Sequence, residues 1–393
     1  MKDPKRLAAS AFRFVLIIGI VNLFADLTYE GGRSVTGPFL GVLGATGAIV
    51  GLVAGFGELV GYGLRSVTGY FADKTRRYWL VTFAGYTINM LAVPALALAG
   101  NWPAAAAFII LERTGRAIRR PAVESMLAHA GPAIGRGWVF GFNEALDQAG
   151  ATVGPLLVAL VLALRGSYRT GFAILLVPAL MCLGTVAVAR IQHPHPEAME
   201  REEPRALRVR GFSRRFWTYL VAGALVAAGF ADFALIAFHF QRTGSVSNQY
   251  VPVFYAAAMA TGAIAALLFG KFLDKFGFRA VYVPFFISAF FPPLVFLGGF
   301  KLALAGMVLW GIGLGVQDSL LKAVLTEIVP AEKRSTAFGV FDTGFGIAWF
   351  AGSAVMGLLY DRSVAALIAF SVIVQLAALP VFVLARRRAA EAG

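Results

Sequence analysis

Runs of about 20 predominantly apolar residues recur from one end of this 393-residue chain to the other. At about 1.5 Å of rise per residue, each run as a helix is long enough to cross a hydrocarbon layer roughly 30 Å thick. The composition agrees, with 59% hydrophobic and 14% charged residues and a mean hydropathy of +0.74, far from the balance of a water-soluble domain. The 44 glycines fit the same picture, because small residues let helix backbones approach closely where no hydrophobic force drives them together.

The formal net charge of +14 does not point to nucleic acid, since the basic residues are dispersed between apolar runs rather than gathered on one soluble face. Cys182, the single cysteine, lies inside an apolar run, cannot form an intramolecular disulfide and is expected to serve packing. The basic stretch from Met1 to Arg13 resembles the start of a signal peptide. Apolar residues continue past the length of a signal core without a small-residue cleavage site, so a retained first span is expected.

Charged, Pro-rich and Gly-rich interruptions delimit twelve spans: 12–32, 42–71, 78–99, 103–127, 136–164 and 170–190, then 216–240, 249–272, 280–298, 302–328, 335–359 and 364–385. The polar stretch from His193 to Arg215 reads as a linker with a short surface helix. The expected organisation is a six-helix bundle over 1–190, a cytoplasmic linker over 191–215 and a second six-helix bundle over 216–393. With both termini inside, the inner segments hold 23 of the 35 Lys and Arg residues. The outer segments hold six, namely Arg33, Arg165, Arg169, Arg242, Lys301 and Arg362, and the last six fall within spans. This asymmetry predicts cytoplasmic termini in a plasma (cell inner) membrane.

A charged turn, Gly69-Tyr-Phe-Ala-Asp73-Lys-Thr-Arg-Arg77, joins spans 2 and 3. A related turn, Gly270-Lys-Phe-Leu-Asp274-Lys275-Phe-Gly277-Phe-Arg279, joins spans 8 and 9. Glu124 overlays Glu327, and Gly141, Glu144 and Gly154 overlay Gly339, Asp342 and Gly352, so the halves repeat at offsets of 198 to 203 residues. Six helices per copy is an even number, which makes the repeat parallel.

On these residues the chain resembles the major facilitator superfamily, whose helix 2–3 loop carries G-x-L-A-D-[RK]-x-G-[RK]-[RK]. Gly69, Ala72, Asp73, Lys74 and Arg77 fit, with Phe71 in place of the Leu and Arg76 in place of the second Gly. The C-terminal copy keeps Gly270, Asp274, Lys275 and Gly277. In span 5, Gly141, Gly150, Gly154 and Pro155 reproduce G-x8-G-x3-G-P, which in that superfamily accompanies proton-coupled antiporters that export their substrate; Val158 and Ala159 replace its closing Gly-Gly. The same small residues would also serve simply to pack helix 5 against a neighbour. The resemblance implies an all-α integral membrane protein of twelve transmembrane helices in two pseudo-symmetric six-helix bundles, similar to the proton-coupled drug and metabolite antiporter branch.

Nine acids fall within the predicted spans: Asp26, Glu30, Glu58, Glu112, Glu144, Asp147, Asp232, Asp318 and Asp342. Each costs about 2.5–3.5 kcal/mol at a helix centre, so they are expected to face a polar interior and to be paired. In span 1, Asn22, Asp26, Tyr29 and Arg33 form one helical stripe with Glu30 beside Asp26, and Glu58, Tyr62, Arg65 and Gly69 repeat it in span 2. Span 4 carries Glu112, Arg113, Arg116, Arg119 and Arg120, where Arg113 resembles the arginine the superfamily often keeps in helix 4. Span 5 answers with Asn143, Glu144, Asp147 and Gln148. The second half is plainer, with Asp232 and His239 on span 7, Gln317, Asp318 and Lys322 on span 10, and Asp342 and Trp349 on span 11. Asp318 and Lys322 are spaced as an i,i+4 pair, and His239, near the end of its span, is expected at the surface.

These charges predict a proton relay with Asp26, Glu30, Arg113 and Glu144 as the coupling cluster, while Arg116, Arg119 and Arg120 are expected to be structural or gating. Permanently paired ions that fix helix registry would look the same in sequence. At the cytoplasmic side a latch is expected. Asp73 would cap span 11 near Ser335 and Arg77 would pair with Glu124, while Asp274 would approach the start of span 5 and Arg279 would pair with Glu327.

No nucleotide-binding loop and no nucleophile with a nearby base occur, and nothing has metal-ligand spacing, His193 and His195 included, so no enzyme, ATP-driven pump, metal or cofactor is expected. The expected partners are a small-molecule substrate, protons and the lipid bilayer, with the chain acting as a monomer. Proton-driven export of a small organic, lipophilic or amphiphilic compound is the leading expectation. Proton-coupled uptake of an anionic metabolite is the alternative, on account of Arg33, Arg65, Arg113 and Arg116. A non-transporting receptor or scaffold is disfavoured by a longest linker of about 25 residues.

Overall fold

The computed structural model describes residues 4–75, 77–164, 166–194, 211–329 and 334–390. The described residues form α1 (Pro4–Val42), α2 (Gly47–Thr75), α3 (Tyr78–Ala95), α4 (Trp102–Ile134), α5 (Arg136–Ala163), α6 (Tyr168–Ile174), α7 (Leu176–Gln192), α8 (Arg214–Gly229), α9 (Phe233–Thr243), α10 (Val251–Phe276), α11 (Tyr282–Ser288), α12 (Phe291–Leu297), α13 (Phe300–Ile328), α14 (Arg334–Arg362) and α15 (Val364–Ala390). Three passes are interrupted helices, α6 with α7, α8 with α9, and α11 with α12, so the chain makes the expected twelve. Eleven of these passes are long and apolar enough to cross a bilayer among the described residues. The twelfth, α4, has the length but carries Glu112, Arg113, Arg116, Arg119 and Arg120 in its middle. The expected helical linker falls mostly on 195–210, outside the described residues.

The chain packs as two compact units, Met1–Arg33 with Leu64–Pro204, and Ser34–Gly63 with Arg205–Gly393. Sequence order assigns α1 and α2 whole to the first bundle. In the structure each of these helices passes from one unit into the other. Within the second unit the α1 and α2 segments seat on small residues. A Cβ at Gly37 would fall on the Ala234 carbonyl of α9, and one at Gly51 would fall on the Ser353 carbonyl of α14. Tyr62 and Phe56 of α2 add edge contacts to Phe345 and Phe350, at ring separations of 5.5 and 6.0 Å.

Span 1 does not stop at residue 32. The Gly31-Gly32 pair is not a terminator, because both glycines press against neighbours: Gly31 against Leu175 and Gly154, Gly32 against Val93. The helix ends only at the turn containing Gly44, whose φ of +88° suits glycine. Arg33 therefore lies inside α1 rather than in an outer loop.

Span 7, expected to be continuous over 216–240, breaks at Phe230–Asp232. A break at membrane depth frees backbone groups that water cannot satisfy, so the protein must do so. The Gly229 carbonyl accepts from Ser371 Oγ and from Gln375 Nε2 at 3.1 Å, and the Ala231 carbonyl accepts from Trp310 Nε1 at 2.9 Å. Asp232 Oδ1 caps α9 by accepting from the Ala234 N–H at 2.9 Å. Trp310→Phe keeps an aromatic side chain but removes the indole N–H, which leaves that carbonyl unsatisfied, and opens a small cavity at a fully buried position. It is expected to destabilise the protein by about 1–3 kcal/mol, read as a lower thermal midpoint in detergent.

His239 is buried rather than at the surface. Because α14 runs on to Arg362, Tyr360 covers the imidazole, with its hydroxyl 3.1 Å from Nδ1, and Phe296 packs on the ring.

Candidate functional site

The first unit brings charged side chains of α1, α4 and α5 together with two uncharged residues of α3. Two close backbone contacts set the register. Gly85 of α3 and Gly115 of α4 lie against each other's helix backbone, and a Cβ at Gly85 would come within 2.6 Å of the Arg119 N atom. Gly150 and Gly154 of α5 press on α1, where added Cβ atoms would fall on the carbonyls of Leu23 and Leu27 and, at Gly150, 3.0 Å from Asp26 Cβ. Two of the three glycines of the span 5 motif, Gly150 and Gly154, thus lie against the turns of α1 around Asp26, whereas a Cβ at Gly141 would touch no neighbour. Gly154→Leu is expected to wedge α5 from α1, costing about 1–3 kcal/mol of stability by thermal shift and removing transport.

On this framework a polar chain crosses four helices. Asn22 Nδ2 donates to Asn143 Oδ1 at 3.3 Å, and Tyr86 hydroxyl donates to Asn22 Oδ1 at 2.8 Å. Arg119 donates from Nη1 to the Tyr86 hydroxyl at 3.2 Å and from Nε to Asn89 Oδ1 at 3.1 Å. Asn89 Nδ2 donates to Glu112 Oε1 at 2.9 Å, and Glu112 Oε2 stands 3.4 Å from Arg113 Nε. The Arg119 guanidinium also lies over the Tyr86 ring at 4.5 Å, and that of Arg116 lies over Tyr29 at 4.4 Å.

Two carboxylates stand apart from this chain. Asp26, 8% exposed, has Arg119 Nη2 at 4.0 Å as its ion-pair contact and accepts no hydrogen bond among the described residues. Asp147 Oδ1 is shut off from solvent and has no hydrogen-bond partner among the described residues. The two acids interact electrostatically with each other and with Arg119 and Arg116. A buried carboxylate without hydrogen bonds is costly as an anion. Together they form a place where a proton, or a cationic or hydrogen-bonding group, would be held.

The predicted coupling cluster is therefore rearranged. Arg119, expected to be structural or gating, is the arginine at Asp26, whereas Arg113 pairs with its neighbour Glu112. Glu144 is exposed and its Oε1 accepts from Gln148 Nε2 at 2.9 Å. Asn143, Asp147, Gly150 and Gly154 form the i, i+4, i+7, i+11 stripe that faces α1, and Glu144 lies about 100° off it. Glu30 is buried on α1 in the first unit. Tyr86 and Asn89 were not singled out in sequence; their signal is two polar groups three residues apart in an otherwise apolar span 3.

In the second unit Glu58 is buried on α2, Asp232 serves as a helix cap, Asp342 is half-buried and Asp318 is exposed. Asp318 and Lys322 make no ion pair. Gln317 Oε1, Trp349 Nε1 and Ser353 Oγ are buried and have no hydrogen-bond partner among the described residues. Of the expected latch, Glu124 Oε1 is taken by Arg120 Nε of its own helix at 2.9 Å, and exposed Arg77 does not pair with it. Arg279 and Glu327 are both exposed and do not pair. Gly69 lies against Pro121. The side chains of Asp73, Asp274 and Ser335 lie outside the described residues. Among the described residues, no group of three or more His, Cys, Asp and Glu is placed to hold a metal.

An uncharacterized protein of Mycobacterium tuberculosis is 40% identical over 380 residues, covering 95% of this chain and 93% of its own length. An uncharacterized MFS-type transporter of Methanocaldococcus jannaschii is 23% identical over 312 residues, 76% of each chain. Among solved structures, the nucleoside transporter NupG superposes with a TM-score of 0.75 at 15% identity, covering 94% of this chain and 99% of that one. The peptide transporter POT superposes with a TM-score of 0.75 at 15% identity, over 100% of this chain and 99% of that one. The sequence profile described as Major Facilitator Superfamily matches residues 23–298 and 233–393. With twelve helical passes and this match, the chain is a multi-pass membrane transporter that belongs to the Major Facilitator Superfamily.

Proposed function

We propose that this transporter is a proton-coupled antiporter that exports a small organic compound by alternating access, as a monomer in the plasma membrane with both termini in the cytoplasm. The observation that carries the reading is the contact of Arg119 with Asp26, a carboxylate that accepts no hydrogen bond among the described residues, with the unbonded Asp147 in the same electrostatic cluster. A proton on either acid weakens its hold on Arg119, and loss of that proton restores it, so protonation and the arrangement of α1, α4 and α5 are linked. The neutral groups Gln317, Trp349 and Ser353 of the second unit favour a substrate recognised by hydrogen bonds and aromatic contact. The close seating of Gly150 and Gly154 on the Asp26 turn supports the antiport motif.

A second reading, proton-coupled uptake of an anionic metabolite, is favoured by one observation, the grouping of Arg113, Arg116 and Arg119 on α4. The solved neighbours named above handle nucleosides and peptides and favour neither direction.

Everted membrane vesicles with a respiration-driven pH gradient distinguish the two. Permanently charged lipophilic amines (quaternary ammonium compounds) and neutral aromatic compounds from a thermal-shift survey are expected to collapse the gradient only when the protein is present, and Asp26→Asn is expected to remove the effect. Gradient-driven uptake of carboxylates in right-side-out vesicles, with no response to the amines or neutral compounds, would replace export by import.

A further inference from the structure

In the charged turn of the second half, the expected pair of Arg279 with Glu327 is not made among the described residues. Arg279 lies in the single 3-10 turn Gly277–Val281 after α10, is exposed, and takes part in no ion pair among the described residues. Beside it, Phe269, Phe272 and Phe276 of α10, with Ala280 and Val283, wall a groove of about 240 Å³ that Arg279 also lines. Phe272 and Phe276 are 45% and 52% exposed.

The groove lies at a boundary. The apolar span of α10 ends at Leu273 and the next begins at Gly277, so Phe269 and Phe272 belong to the span while Phe276 and Arg279 lie at its end. Lys271 and Lys275 are exposed on the same stretch, the former still within the apolar span and the latter 5.3 Å from the centre of the Phe276 ring, and neither is ion-paired among the described residues. Thus an aromatic trough that fits hydrocarbon ends at the guanidinium of Arg279, with Lys275 beside Phe276 just past the end of the apolar span.

We propose that this groove holds an anionic phospholipid of the surrounding bilayer, with an acyl chain along Phe269, Phe272 and Phe276 and the phosphate on Arg279, aided by Lys275. Three phenylalanines three and four residues apart line one side of α10 and give an alkyl chain a continuous wall. A planar guanidinium offers a phosphodiester two parallel hydrogen bonds, which the ammonium of lysine does not. Net lipid charge decides the preference. A zwitterionic headgroup brings its own cation to a site that already has Arg279 and Lys275, whereas an anionic one does not, and each basic residue near such a surface is worth about fivefold in binding.

The test is native mass spectrometry on the full chain in detergent, with phosphatidylglycerol and phosphatidylcholine of identical acyl chains, and inorganic phosphate as a separate arm. Wild type is expected to retain phosphatidylglycerol at least about fivefold better than phosphatidylcholine. Arg279→Gln should erase that preference and Arg279→Lys should reduce it. Phe272→Ala should weaken both lipids alike, and Lys301→Gln, a distant exposed cation, should change nothing. Equal retention of the two lipids, or an unchanged preference in Arg279→Gln, overturns the proposal. Inorganic phosphate that binds without lipid and is lost in Arg279→Gln would make this a free-anion site and also overturn it.

Discussion

Arg119→Gln is expected to abolish substrate-coupled proton movement and to lower stability by about 3–5 kcal/mol, the range for removing one partner from a buried charge cluster. The size follows from what Arg119 holds. Its Nη1 and Nε bond Tyr86 and Asn89, its Nη2 stands 4.0 Å from Asp26, and its plane covers the Tyr86 ring. Without it, two carboxylates remain in a low-dielectric setting, and the hydrogen-bond chain from Asn22 to Glu112 loses its middle member. Asp26→Asn separates the two roles. It removes an acid that accepts no hydrogen bond among the described residues, so stability should change by no more than about 1 kcal/mol while coupled flux falls to background. Because the groups touch, the double variant should be less unstable than the sum of the single ones. Flux in proteoliposomes and thermal unfolding of the same preparations measure both. Wild-type flux in Arg119→Gln would remove the arginine from the coupling assignment.

Eleven of the twelve passes were legible from apolar run length and α4 from the interruptions on either side of it, and the Asn22, Asp26, Tyr29 stripe was legible because helical periodicity puts those residues on one face. In the structure they do meet Tyr86, Arg119 and Arg116 respectively. Which arginine meets Asp26 was not legible. Arg113, Arg116, Arg119 and Arg120 leave several faces of α4 charged, and the choice is made by the contact of Gly85 with Gly115, a long-range pairing that periodicity within one span does not contain. The Glu144 and Asp147 alternatives could have been separated, since Asp147 shares the stripe of the motif glycines. The break at Phe230–Asp232 escaped for another reason. Its sequence, Gly-Phe-Ala-Asp, is apolar enough to continue a helix, and what stabilises the gap, Trp310, Ser371 and Gln375, lies 79 to 146 residues away.

Asp361→Ala is expected to loosen the second unit where α1 turns into α2, and to do so more than any other single change on that face. Residues 34–63 pack within this unit although the rest of α1 and α2 belongs to the other. The first turn of α2 has no acid of its own. Its free N–H groups are capped from α14 instead: Gly47 N–H donates to Asp361 Oδ1 at 2.9 Å and Ala48 N–H to Oδ2 at 2.8 Å. Arg242 of α9 holds the same carboxylate at 3.5 Å. Two charge-assisted bonds to a helix N-terminus are worth about 1.5–3 kcal/mol each before solvent competition, and this site is partly exposed, so about 1.5–2 kcal/mol is the expected loss. Loss of the cap should therefore raise amide exchange at Gly47 and Ala48 by roughly 10- to 30-fold. Hydrogen exchange on these peptides, with Arg242→Gln as a milder companion, gives the readout. Unchanged protection in Asp361→Ala would mean that the Gly37–Ala234 and Gly51–Ser353 backbone contacts hold the segment without the cap.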